Sequence, residues 1–183
     1  MLRFPALLAA TTAVLLASGP ACFAEPQPAV LGPVIHRTYP ASTFFYLPGR
    51  TTLTGIQAEM GQAIPRLVKA MAGQGLGVAT PIMVVYHGAG PDPDKAFDYE
   101  VGVLVPPGTQ AAGDGRVRSL AAFPCATLVF TGSFDQMGKA YEALYPAILG
   151  EGKTPTAETR QMILYYEKEA SPNNMVLVQI GLQ

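Results

Sequence analysis

The sequence predicts an α+β protein built from two copies of one βαββ unit, which together form a curved antiparallel sheet with two main helices on one side. Three observations carry this. Short stretches of period-two apolar residues alternate with two longer stretches of helical period. Met83-Val84-Val85-Tyr86 is matched by Met162-Ile163-Leu164-Tyr165, and Glu100-Val101-Gly102 by Gln179-Ile180-Gly181, each pair 79 residues apart. A Pro- and Gly-rich run from Pro106-Pro107-Gly108 to Gly115 marks a seam between the copies. One such unit leaves its sheet uncovered, whereas two side by side bury a common core.

The chain opens with Met1-Leu2-Arg3, an apolar run from Phe4 to Ala17 and a small-residue stretch ending at Ala24. A short positive start, an apolar segment too short to span a bilayer and a small-residue exit are the pattern of a secretory signal peptide cut after Ala24. The protein is therefore expected to be exported, periplasmic or secreted. Lipid attachment at Cys22 is the alternative, disfavoured because Gly19-Pro20-Ala21 lacks the usual Leu three places before the cysteine. After cleavage Cys125 is the remaining cysteine, so an intramolecular disulfide is excluded and stability must come from packing. Twelve Lys and Arg against thirteen Asp and Glu give a net charge of −1 with no basic block, which argues against nucleic-acid binding. No apolar run after residue 24 reaches the length of a membrane span.

Residues 25–33 carry three prolines and read as an extended leader; a single domain then runs over 34–183, with repeat one at about 34–107 and repeat two at about 116–183. Val34 to Arg37 and Ser42 to Leu47 suit two extended pieces or one interrupted strand. From Thr54 the period lengthens: Ile56, Met60, Ala63, Ile64, Leu67 and Met71 form one helical stripe, with Thr54 and Gln57 as a capping box and Gly73 as the stop. Pro65 inside it predicts a kink or break. Ile82 to Tyr86 is a strand, the turn-rich Gly88 to Lys95 a hairpin loop, and Phe97 to Val105 the returning strand. In that strand Tyr99, Val101, Val103 and Val105 face one way, and Asp98, Glu100, Gly102 and Leu104 the other. Phe123-Pro124-Cys125-Ala126-Thr127 echoes Tyr39-Pro40-Ala41-Ser42-Thr43. Ser133 and Gln136 form a second capping box before a stripe of Phe134, Met137, Tyr141, Leu144, Tyr145 and Ile148, with Gly150 as its stop.

These features together resemble the GyrI-like small-molecule-binding superfamily, the effector-binding domain of AraC- and MerR-type regulators. The residues that carry the resemblance are the Tyr86 strand, its turn-rich hairpin, Phe97-Asp98-Tyr99-Glu100-Val101-Gly102-Val103, Thr131-Gly132-Ser133-Phe134-Asp135, and the closing Tyr165 strand with Gln179-Ile180. The resemblance implies two halves enclosing a cleft for hydrophobic, often cationic, small molecules, lined by aromatics with an acid on the last strand. Here Gln179 occupies that last position and the acid is kept in the first half as Glu100. No helix-turn-helix segment precedes the domain in this sequence, so the regulator role is not implied.

Glu100 is the leading ligand-binding candidate, because a carboxylate in a partly apolar cleft pairs with a ligand cation and faces of Tyr86, Tyr99 or Tyr165 add about 0.5–2 kcal/mol of cation–π attraction. The competing reading puts Asp98 and Glu100 on a wet sheet face. Tyr86 and Tyr165, at equivalent places in the two halves, are expected as pocket walls or as core tyrosines with hydroxyls at the surface; Gln179 follows, with Phe44, Tyr46 and Phe130 as further walls. His36 and His87 lack partners at metal-ligand spacing, so no metal is expected, and haem ligation, suggested by a distant likeness to SOUL haem-binding proteins, ranks below a plain strand histidine. No cofactor is expected. Cys125 reads as a small buried hydrophobe. The leading function is an exported binder of a small hydrophobic or amphipathic ligand. The alternatives are hydrolysis, with Glu100 as base and a tyrosine as acid, and an envelope interaction protein.

Overall fold

The computed structural model describes residues 27–77, 81–111 and 113–183, so the segment 1–24 predicted as a signal peptide and Cys22 lie outside the described residues. Nine strands and two helices follow in the order β1 (Val30–Leu31), β2 (Ile35–Tyr39), β3 (Ser42–Thr51), α1 (Ile56–Ala72), β4 (Ile82–His87), β5 (Phe97–Val105), β6 (Arg116–Leu120), β7 (Phe123–Thr131), α2 (Gly138–Gly150), β8 (Pro155–Tyr165) and β9 (Met175–Leu182). All strands join one antiparallel sheet of order β1-β7-β9-β8-β4-β5-β3-β6, with β2 also on β7. The chain is thus α+β, as the two periods in the sequence predict. The leader contributes β1, a two-residue strand against Phe130 and Thr131.

The spacing of 79 runs further than the closing hairpins. Pro48 pairs with Glu100 and Thr127 with Gln179, which replaces the Tyr39–Phe123 echo by a correspondence of Phe44 with Phe123. Each of these rings lies over a glycine of the last strand in its repeat. A Cβ on Gly102 would stand 2.8 Å from the Phe44 ring and 2.1 Å from the Phe45 carbonyl oxygen, and one on Gly181 would stand 2.8 Å from the Phe123 ring. The notch beside Glu100 is therefore filled by the protein itself.

The first strands are exchanged between the halves. β2 leads into β3 yet pairs with β7, while β6 leads into β7 yet pairs with β3. Two residues join β6 to β7, although six strand spacings, about 29 Å at ~4.8 Å each, separate them along the sheet. The sheet must coil until its ends approach, and Leu120 at the end of β6 accordingly packs with Met83 and Val85 of the central β4.

The helices cover the opposite face, each over its own half. Ala63, Leu67 and Met71 of α1 pack on Phe45, Leu47, Tyr99, Val101 and Val103, and Ala140, Leu144 and Ile148 of α2 pack on Ala126, Leu128, Phe130, Val176, Val178 and Ile180. Pro65 does not break α1: it lies on the exposed side, where the carbonyl left without a donor can bind water. Neither predicted capping box forms. Gly55 caps α1 while the Thr54 hydroxyl turns to the Pro93 carbonyl and Asp94. The Gln136 side chain instead accepts from the Ala29 amide and donates to the Gln27 carbonyl, tying the leader to the start of the second helical segment. Gly73 caps α1 as predicted, but α2 runs through Gly150 and the left-handed turn falls at Gly152 (φ 70°).

Candidate functional site: the seam between the repeats

The two halves meet along β4 and β8, the central strand pair. α1 packs on β3 and β5, with Val84 and Tyr86 of β4 in the same buried cluster, and α2 packs on β7, β8 and β9, so the ground of the two helices meets over β4 and β8. Strand alternation sends Val84 and Tyr86 of β4, and Thr159 and Gln161 of β8, to the helix side of this seam. There the Tyr86 hydroxyl donates to Gln161 Oε1 (3.1 Å) and Gln161 Nε2 donates to the Tyr141 hydroxyl of α2 (2.9 Å). The relay draws Tyr86 from repeat one and Gln161 and Tyr141 from repeat two. One strand away, Tyr99, cross-strand neighbour of Tyr86, donates to Glu59 Oε1 of α1 at 2.5 Å. Tyr141 and Tyr145 lie with ring centroids 6.4 Å apart.

Burial is the main force on these phenols. It raises the pKa of Tyr86 well above the usual range, with Tyr141 and Tyr99 adding to the effect. Burial likewise raises Tyr141, against the hydrogen bonds from Gln161 and Thr159, and raises Tyr99, where the bond to Glu59 acts in the same direction. All three stay protonated donors at neutral pH. The seam thus gathers phenol hydroxyls and an amide between the helices and the sheet, and Glu59 beside it already accepts a hydrogen bond.

The residues singled out in the sequence are divided between the two faces. Tyr86 lies in the seam. Phe130 is buried under α2 and forms core rather than pocket wall. Tyr165, at the end of β8, is 52% exposed. Glu100, Gln179, Phe44 and Tyr46 lie on the helix-free face, so Glu100 and Tyr86 do not converge on one point. Neither does Glu100 await a cation: Arg118 of β6 donates to its Oε2 from Nε (3.0 Å) and Nη2 (2.5 Å), and His87 Nε2 stands 3.5 Å away. The Arg118 guanidinium also sits 5.8 Å from the Tyr46 ring, which is stacked on Phe44. Gln179 is buried and directs its amide to Met162 Sδ.

Sequence reasoning missed Gln161, Tyr141 and Glu59 as site residues. Tyr141 was visible as part of the α2 stripe, but nothing local separates a stripe residue that packs from one whose hydroxyl reaches across the seam. Cys125 is buried as expected, and burial pushes its thiol up to about 11. Among the described residues no group of three or more His, Cys, Asp or Glu could hold a metal ion. No helix among them is long and apolar enough to cross a membrane.

A coiled antiparallel sheet of two exchanged repeats, with a helix over each half and a polar relay at the junction, defines a duplicated α+β domain. The family model of the GyrI-like small molecule binding domain matches residues 33–182. The chain belongs to that family. No curated protein matches it in sequence. Its fold is similar to that of EcmrR in a complex with DNA (TM-score 0.68, 13% identity), covering 82% of this chain and 57% of that one. It is similar also to SAV2435 bound to tetraphenylphosphonium (TM-score 0.62, 11% identity, 82% and 94% covered). A third likeness is to a hydrolase encoded by lin2189 of Listeria innocua (TM-score 0.60, 12% identity, 88% and 95% covered).

Proposed function

We propose that this chain is an exported protein that binds an apolar or amphipathic small molecule, cations included, at the seam between its repeats. The observation that carries the proposal is the Tyr86–Gln161–Tyr141 relay, because a polar chain assembled from both halves where the ground of the two helices meets is what an amphipathic ligand needs for orientation. Gln161 keeps an N–H and a lone pair beyond the two bonds it makes. The ring faces supply apolar area and, for a cation, about 0.5–2 kcal/mol of attraction. The bound cation of SAV2435 supports the ligand class, and the residues from Met1 to Ala24 support export. A thermal-shift series with tetraphenylphosphonium and the neutral tetraphenylmethane core bearing a solubilising alcohol tests the proposal: stabilisation by at least one should fall in Tyr141→Phe and Gln161→Leu. No saturable shift with either compound would contradict it.

Hydrolysis is the second reading, and one observation moves its residues. Glu100 is committed to Arg118, whereas Glu59 and Tyr99 form a carboxylate–phenol pair beside the seam. An activity lost in both Glu59→Gln and Tyr99→Phe but kept in Glu100→Gln is the signature of this version.

A further inference from the structure

On the helix-free face the coiling of the sheet leaves a hollow of about 710 Å³, walled by the ends of β4 and β8, by β6 and by the two-residue link from β6 to β7. Three cationic or potentially cationic side chains line it, Arg118, Arg160 and His87, against a single acid, Glu158. The rest of the wall is alanine, hydroxyl and apolar, with Phe123 the largest apolar member.

Arg160 is the built part of this wall. Its side chain is only 8% exposed, and β-strand register places it between Val85 and Gln179. Phe123 holds the flat face of the guanidinium 3.6 Å from its ring centroid, and Glu158 Oε1 holds one edge through Nε (2.7 Å) and Nη2 (2.6 Å). A planar cation fixed on one face and one edge keeps donor capacity on the remaining edge, the geometry in which arginine recognises oxyanions. Arg118 is held in the same manner by Glu100, again through Nε and Nη2 onto one oxygen. Both carboxylates that neutralise the arginines therefore also orient them. A cation entering this hollow would meet two guanidiniums, whereas an anion would meet their open edges within a partly apolar wall.

We propose that this hollow is a second ligand site, distinct from the seam, which takes a small organic oxyanion with a flat apolar body, a carboxylate of aromatic type. Phe123 and the small side chains of the link receive the body, and the open edges of Arg160 and Arg118 receive the oxyanion.

The test is calorimetric titration of the purified mature chain with 2-naphthoate, beside its neutral analogue 2-naphthylmethanol. The naphthoate is expected to bind saturably, at least tenfold tighter than the alcohol, and with unchanged affinity in saturating tetraphenylphosphonium. Arg160→Met should weaken naphthoate at least tenfold and leave the alcohol alone. Because that variant also removes packing from Phe123, Glu158→Gln serves as the counter-test: deleting the acid that neutralises Arg160 should tighten naphthoate severalfold, a gain that misfolding does not produce. Equal affinity for acid and alcohol, or no gain in Glu158→Gln, would overturn the proposal, as would displacement of naphthoate by tetraphenylphosphonium.

Discussion

Replacing Arg118 by Met should destabilise the protein more than any change at its partner Glu100. The Glu100 side chain is 13% exposed and that of Arg118 31%. Removing one partner of a fully buried pair costs about 3–5 kcal/mol, whereas a fully exposed pair is worth about 0–1 kcal/mol. Arg118→Met strands a mostly buried carboxylate with only His87 near it, and the intermediate burial sets the cost at about 2–3 kcal/mol. Glu100→Gln leaves a longer and more exposed guanidinium that can swing toward water, so about 1 kcal/mol is expected. The double variant removes both charges and should cost about 1 kcal/mol, less than Arg118→Met alone, for a coupling energy of about 2 kcal/mol. Urea unfolding of the four proteins at pH 7 measures the cycle. For a chain of this size the Arg118→Met loss corresponds to a fall in Tm of roughly 4–12 °C. Equal costs for the two single variants, with a double variant equal to their sum, would refute the burial and pairing described here.

Four further outcomes follow from the same geometry. Glu100→Gln should leave tetraphenylphosphonium affinity within about twofold, because Arg118 already neutralises that acid and the seam lies on the other face; a titration shows this directly. Gly102→Ala should cost about 3 kcal/mol or more and exceed the cost of Gly181→Ala, since the first Cβ meets a backbone carbonyl at 2.1 Å whereas the second meets only side chains, measured by chemical unfolding. Alkali should weaken the fold through Cys125. The folded thiol holds its proton up to about 11 whereas the unfolded one loses it near 9, so the stabilisation is complete below pH 9 and is lost on the way to pH 11. It amounts to on the order of 2–3 kcal/mol, and the fall in urea midpoint between pH 8 and pH 11 should be smaller in Cys125→Ala. Fragments 27–111 and 113–183 should fail to fold separately, each lacking the strand that the other lends, but should show cooperative unfolding when mixed; circular dichroism distinguishes the cases.

Much of the fold was legible because it rests on local periodicity and self-similarity. Helix stripes, the hairpins and the spacing of 79 all lie within short windows of sequence. The exchange of β2 and β6 was not, because both are short, charged or mixed strands whose partners are chosen by the coil of the whole sheet rather than by their own pattern. The capping boxes failed for a related reason: Thr54 and Gln136 match a local motif, yet each finds a long-range partner, in the β4–β5 loop and in the leader.

The candidate site was legible in residue type more than in place. Alternation correctly set Glu100 apart from Tyr99 and Val101, but sequence does not say which side the helices cover, and so Glu100 and Tyr86 were assigned to one cleft. Arg118 could not be connected with Glu100 from sequence, since the pair forms only when β6 folds over the sheet. Gln161 and Tyr141 became visible once α2 was seen to lean on β8.

Tyrosine reports on the central claim most directly, because the chain has eight tyrosines and no tryptophan. With tyrosine 13C-labelled at Cζ, titration with tetraphenylphosphonium followed by NMR should shift Tyr86 and Tyr141 first and most, with Tyr145 and Tyr99 next and Tyr39, Tyr46 and Tyr166 unmoved. Saturable shifts confined to Tyr46 and the helix-free face, with Tyr86 and Tyr141 unchanged, would contradict a ligand site at the seam.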